Sequence, residues 1–202
     1  FIMKKILITR KLIKSSEERA LKFFDAKLNK KDKLLTKEEL ITESKDCDGI
    51  LSSLTEKFDS DLISKLSKTV KIISNFAVGF GNIDLEAAKV RNIVVTNTPD
   101  VLTDATAEIA ILILLGAARR AKEGIEWASK KNWKWSADFL MGKQLTGSRL
   151  GILGMGRIGR AVAARARSFG MQIHYFNRSR LDKNLEKDSI YHKSLESLLS
   201  VS

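Results

Sequence analysis

Proline, cysteine and histidine are nearly missing from this chain, which has one Pro, one Cys and two His among 202 residues. The single cysteine, Cys47, cannot form an internal disulfide, so nothing points to an oxidising compartment. No apolar run approaches the ~20 residues that cross a bilayer. The longest, Ile109 to Ala118, is bounded by Glu108 and Arg119-Arg120. After Met3-Lys4-Lys5 only Ile6-Leu7-Ile8 follow, far short of the roughly 7–15 apolar residues of a secretory signal. These absences read as a cytoplasmic chain with no membrane partner. Phe1-Ile2 stand ahead of Met3, which reads as the natural start.

The net charge is +12, which by itself suggests nucleic acid. Against that, the lysines are scattered and mixed with 24 acidic residues, and no basic cluster is interleaved with aromatics. No nucleic-acid partner is expected. Nor is any metal site assigned.

Over the first hundred residues, short apolar runs alternate with amphipathic segments. Lys5–Thr9, Gly49–Ser52, Lys71–Ser74 and Ile93–Val95 read as strands. Helices are expected from Ser15, with Glu18 at capping-box distance and Leu21 and Phe24 on one face, and again from Thr36 with Glu39. Asp59 and Asp84 open two more, the first carrying Leu62, Ile63 and Leu66. Strands alternating with helices predict a parallel sheet of about five strands, covered on both faces. The only proline, Pro99, sits where the pattern changes. A long helix from Thr103 follows, apolar on most of its circumference, as expected of an element buried between layers or domains. Trp127–Trp135, with three tryptophans, Lys130-Lys131 and Asn132, reads as a connection, packed locally or at a subunit contact.

The sequence Gly154-Met155-Gly156-Arg157-Ile158-Gly159 follows a predicted strand, Arg149–Leu153, and opens an Ala- and Arg-rich segment that stops at Gly170. A second apolar strand, Met171–Phe176, comes next. A lone G-x-G-x-x-G is weak, but within a βαβ unit it predicts a dinucleotide site. Gly154 allows the tight turn, Gly156 admits the pyrophosphate to the backbone, and Gly159 lets the helix approach the strand. The helix N-terminus then offers free N–H groups to the anion, and Arg157 adds a positive charge there. At the end of the second strand an NAD enzyme usually carries a carboxylate for the ribose hydroxyls. Here Asn177-Arg178-Ser179-Arg180 stands instead. Without the acid nothing repels a 2′-phosphate, and two guanidinium groups are available to grip it. The expected cofactor is NADP(H), with NAD(H) second.

Several segments together resemble the D-isomer-specific 2-hydroxyacid dehydrogenases, and most of all their glyoxylate/hydroxypyruvate reductase branch. They are Asn97–Glu108 entering the long helix, Ala77–Asp84, Gly151–Gly159 and Asn177–Arg180. The resemblance implies an α/β protein: a flavodoxin-like substrate domain over 1–99, then a linker helix and the first part of a Rossmann domain over 100–202. It implies an active site in the cleft between the two. Val78 and Gly79 would bind the substrate carboxylate through their amides, the Ser52-Ser53-Leu54 loop would lie against the substrate, and Thr106 would lie close to the cofactor. Gly81 departs from the acid often found at its position. The implied reaction is hydride transfer from NADPH to a small 2-oxo acid, in an enzyme that is a homodimer at full length.

The family's chemistry also needs an arginine, a glutamate and a histidine from segments further along than this chain. His174 and His192 match neither motif, so no catalytic residue is assigned. From Gly151 to Ser202 there is room for one βαβ unit and a helix near Ser194–Leu199, but not for the two βαβαβ halves of a dinucleotide domain. The chain therefore reads as truncated before the third strand of that sheet. The first strand is then left with an open edge, and the chain is expected to be poorly soluble and inactive alone. Phosphoglycerate- and D-lactate-type dehydrogenases, and a non-catalytic dinucleotide sensor, are the rival readings.

Overall fold

Residues 3–99 alternate strand and helix. In order they form β1 (Lys5–Ile8), α1 (Lys14–Phe23), β2 (Asp25–Leu28), α2 (Lys37–Glu43), β3 (Gly49–Ser52), α3 (Ser60–Lys65), β4 (Ile72–Asn75), α4 (Leu85–Val90) and β5 (Val94–Thr96). These and all later coordinates come from a computed structural model that describes residues 3–130 and 135–202. The strands run parallel in the order β2-β1-β3-β4-β5, which is the 2-1-3-4-5 doubly wound arrangement.

Local chemistry explains most of these boundaries. The Thr36 hydroxyl accepts the Glu39 N–H at 3.2 Å, and the Glu39 carboxylate accepts the Thr36 N–H at 2.9 Å. This capping box starts α2. Asp59 and Asp84 accept the N–H groups of Leu62 and Ala87, each at 2.9 Å, and so cap α3 and α4. Beneath the sheet, Leu7, Leu40, Ile50, Phe58, Leu62, Ile63 and Ile73 form one buried cluster. Burying a side chain such as Phe58 contributes about 1.5–3 kcal/mol.

Two expectations for this unit need correction. Helix α1 begins at Lys14, its cap Ile13 has no side-chain hydrogen bond, and none of its residues is buried, so Leu21 is half exposed. Glu17, not Glu18, reaches back, accepting the Leu12 N–H at 3.0 Å. The strand β2 was also illegible. Asp25-Ala26-Lys27-Leu28 is half polar because it is an edge strand, paired only with β1.

The chain's second compact unit spans 100–202. It contains α5 (Thr103–Ala118), α6 (Ala121–Ala128), β6 (Arg149–Leu153), α7 (Arg157–Ser168), β7 (Gln172–Phe176), α8 (Lys183–Glu186), β8 (Ile190–His192) and α9 (Leu195–Leu199). The strands run parallel in the order β6-β7-β8, which is the 3-2-1 half of a dinucleotide fold. Ile152, Met155, Ala163, Ala166, Ile173 and Tyr175 make its core, joined by Ile111 from α5.

Three corrections follow here. A third strand is present: Ile190-Tyr191-His192 pairs with β7, and its flanking polar residues hid it from a periodicity reading. Helix α5 is not buried all round. Ala107 and Ile111 are buried, while Ile109, Leu112 and Ile113 are each more than half exposed. An apolar helix buries only the face that meets a partner, and here that partner is α7. Trp127 belongs to α6, its ring edge-on to Phe139 at 5.5 Å. Trp135 is exposed, and residues 131–134 of that tryptophan-rich connection lie outside the described residues, as does the Phe1-Ile2 pair.

Candidate functional site

In the second unit the glycine loop joins β6 to α7. Gly154 has φ +98°, a conformation that L side chains rarely adopt, so the turn requires glycine. A Cβ at Gly159 would lie 2.2 Å from the Gly154 carbonyl oxygen, so the helix approaches the strand at a distance only glycine permits. At Gly154 and Gly156 a Cβ would meet nothing within 4 Å. That open side faces a cavity of about 500 Å³ lined by Leu153, Gly154, Gly156, Phe176, Asn177, Arg178 and Ser179. The N-terminus of α7 has no side-chain cap. Its first N–H groups are therefore available to an anion.

The residues around this groove divide differently from the sequence reading. Met155 is buried, and its N–H does not face the groove. It is donated to the Asn177 side-chain oxygen at 2.7 Å. Asn177 thus braces the glycine loop as well as ending β7. Arg157 is half exposed and forms an ion pair with Asp100, Nε to Oδ1 2.7 Å, which offsets part of its charge. Arg180 is not free either. Its Nε and Nη2 bind the two carboxylate oxygens of Glu186 at 3.0 and 2.9 Å. Arg178 is exposed and has no ion pair or hydrogen bond among the described residues. Ile158 is half-buried behind the loop, and Thr106 lies exposed in the first turn of α5.

Sequence reasoning missed Glu186. It is a buried carboxylate that also accepts the Tyr175 hydroxyl at 2.8 Å, and that hydroxyl in turn accepts the Leu181 N–H at 3.1 Å. The Arg180 guanidinium, and after it Tyr175, hold the Glu186 carboxyl below its ordinary range, while burial raises the Tyr175 hydroxyl. The two histidines lie elsewhere. His174 Nδ1 is 2.9 Å from His192 Nε2, and His192 Nδ1 is 2.8 Å from the Ser197 hydroxyl. Both are buried beneath α9, which suits a structural role.

A second constellation lies in the first unit, at the ends of β3 and β4. The carbonyl of Val78 accepts the Asn97 amide at 2.8 Å, and that of Gly79 accepts the Asn75 amide at 2.9 Å. With both carbonyls tied inward, the N–H groups of Val78 and Gly79 have no acceptor among the described residues. A Cβ at Gly79 would meet nothing within 4 Å, so the approach to these amides is open. Adjacent free amides in a loop make an anion-binding concavity. The neighbouring loop is held from below: buried Glu56 accepts the Ser53 N–H at 3.0 Å and its hydroxyl at 3.1 Å. The Asn82 amide donates to the Ser53 and Glu56 carbonyls, each at 3.0 Å. Leu54, between them, projects to solvent.

This pairing of parallel sheets is shared with known proteins. A glycerate dehydrogenase of Hyphomicrobium methylovorum is 42% identical over 202 residues, covering 98% of this chain and 63% of its own length. A glyoxylate reductase of Thermococcus kodakarensis is 38% identical over 200 residues, covering 96% of this chain and 60% of its own. The chain therefore spans about three fifths of the curated relatives it matches. Among solved structures, the D-lactate dehydrogenase of Aquifex aeolicus, complexed with NAD and lactic acid, superposes with a TM-score of 0.81. It is 26% identical, and the match covers 98% of this chain and 58% of that one. The family described as D-isomer specific 2-hydroxyacid dehydrogenase, catalytic domain, matches residues 6–196. From its glycine loop to its parallel sheets, the chain belongs to the D-isomer specific 2-hydroxyacid dehydrogenase family.

Proposed function

We propose that the chain carries the cofactor-phosphate and substrate-carboxylate sites of an NADPH-dependent reductase of small 2-oxo acids, with glyoxylate and hydroxypyruvate as first substrates. The observation that carries the proposal is the open groove beside the glycine loop. An uncapped helix N-terminus and an unpaired Arg178 line it, and no carboxylate ends β7. Gly154, Gly156, Arg157 and Ile158 would hold the pyrophosphate, and Arg178 and Ser179 the 2′-phosphate. Asn177 would keep the loop in shape. The free amides of Val78 and Gly79 would take the substrate carboxylate, with Leu54 as an apolar wall beside it.

When bound, the cofactor supplies a hydride to the keto carbon. The residues of this chain would bind and orient; none of them is assigned as the proton donor or as the arginine that polarises the carbonyl. For the whole enzyme we propose a homodimer, supported by the exposed apolar face Ile109, Leu112 and Ile113 of α5.

A second reading, with NADH as the preferred cofactor, draws support from the capture of Arg180 by Glu186, which leaves a single unpaired arginine at the groove. Titrating NADPH and NADH against the chain, followed by the fluorescence of the reduced nicotinamide, separates the two. One charged hydrogen bond to the 2′-phosphate favours NADPH about 10- to 150-fold. Tighter binding of NADH would favour the NADH reading, equal affinities would overturn the NADPH preference, and no binding of either would overturn the dinucleotide assignment.

A further inference from the structure

We infer that Glu186 sets the dinucleotide preference of the groove by neutralising Arg180; this rests on the groove being the dinucleotide site. Nothing near Arg180 in sequence announces this role, because Glu186 lies six residues on, in α8. The fold brings the two together as a two-point pair, with Nε to Oε1 at 3.0 Å and Nη2 to Oε2 at 2.9 Å. The carboxylate is buried, while the Arg180 side chain remains 63% exposed. A buried carboxylate is tolerated only when it is matched by a positive partner. Glu186 therefore claims Arg180, and the Tyr175 hydroxyl fixes it in place at 2.8 Å.

The consequence is electrostatic. Arg178, Ser179 and Arg180 stand together at the end of β7, yet the pair Arg180–Glu186 carries no net charge, so Arg178 is the arginine at this strand end whose charge is not offset. Removing the Glu186 charge without its shape would restore a second positive charge beside the site proposed for a 2′-phosphate. NADH lacks that phosphate and would not respond. Glu186 is thus a specificity-setting residue that acts through Arg180 rather than by touching the dinucleotide.

Four variants of the chain test this by equilibrium binding of NADPH and NADH at fixed ionic strength. Glu186→Gln keeps an acceptor for Tyr175 and should bind NADPH roughly fivefold tighter, with NADH unchanged. The double variant Arg180→Ala, Glu186→Ala deletes a neutral pair and should keep the parent ratio of the two affinities. It also serves if Glu186→Gln fails to fold. Arg180→Ala alone leaves the buried Glu186 anion without its partner and should weaken NADPH more than NADH. Arg178→Met tests the underlying reading separately, because it should lower NADPH affinity alone. If Arg178→Met changes neither affinity, the 2′-phosphate assignment fails and the inference goes with it. If Arg178→Met behaves as expected but Glu186→Gln leaves the ratio unchanged, or shifts both affinities equally, Glu186 is only structural. A selective loss of NADPH binding in the double variant would show that Arg180 grips the phosphate itself, which also overturns the inference.

Discussion

The Asn177 side-chain oxygen accepts the Met155 N–H at 2.7 Å, tying the end of one strand to the glycine loop that follows its neighbour. One residue thus does two things. It holds the loop in shape, and it leaves no carboxylate at the place where an acid would repel a phosphate.

Asn177→Asp separates those two roles. The acceptor for Met155 survives, so the loop and the fold should be kept, but a negative charge now faces the groove. NADPH affinity should fall about tenfold while NADH affinity is held or improved. Asn177→Ala should instead weaken both together. Paired binding titrations distinguish these outcomes, and an equal loss in the Asp variant would count against the 2′-phosphate reading.

Two glycines should respond oppositely to alanine. At Gly159 a Cβ would collide with the Gly154 carbonyl, a backbone atom that cannot swing away. Gly159→Ala should cost about 1–3 kcal/mol or more and open the loop. Gly79→Ala meets open space and should stay within about 0.5 kcal/mol of the parent. Urea denaturation of the two variants checks both, and equal midpoints would refute the close helix–strand approach.

Glu56 holds the Ser53–Leu54 turn from a buried position. Glu56→Ala would leave the Ser53 amide without its acceptor, at a cost of about 1–3 kcal/mol. Amide exchange in residues 52–56 should quicken, with little change in the second unit. A uniform change across the chain would show that the effect is not local.

The His174–His192 pair predicts a pH dependence of stability. Burial, then the neighbouring His192 and Arg149, lower the His174 pKa from its ordinary 6.5. The unfolded chain therefore binds this proton more readily than the folded one. Stability is full above about pH 6.5 and declines as the pH falls through the folded value. Melting temperatures at pH 7.5 and 5.5 should differ, and the difference should shrink in His174→Asn. An unchanged difference would assign the effect to other groups.

The glycine loop, the capping box at Thr36 and the caps at Asp59 and Asp84 were all readable, because each depends on partners a few residues away. So were the parallel α/β character and the lack of an acid at residue 177. What stayed hidden depends on where distant segments meet. Asn177 finds Met155 only once β6 and β7 are in register, and Arg180 finds Glu186 only when α8 folds back beside the end of β7. The burial of α5 was misread for a related reason: its composition reports apolar surface, but a partner decides which side is covered. The sequence by itself determined the loop chemistry and the alternation of elements, since both are local properties of the chain. Tertiary structure decided which charges stay free and which amides stay open, because hydrogen-bond partners across a sheet are chosen by strand register and loop direction.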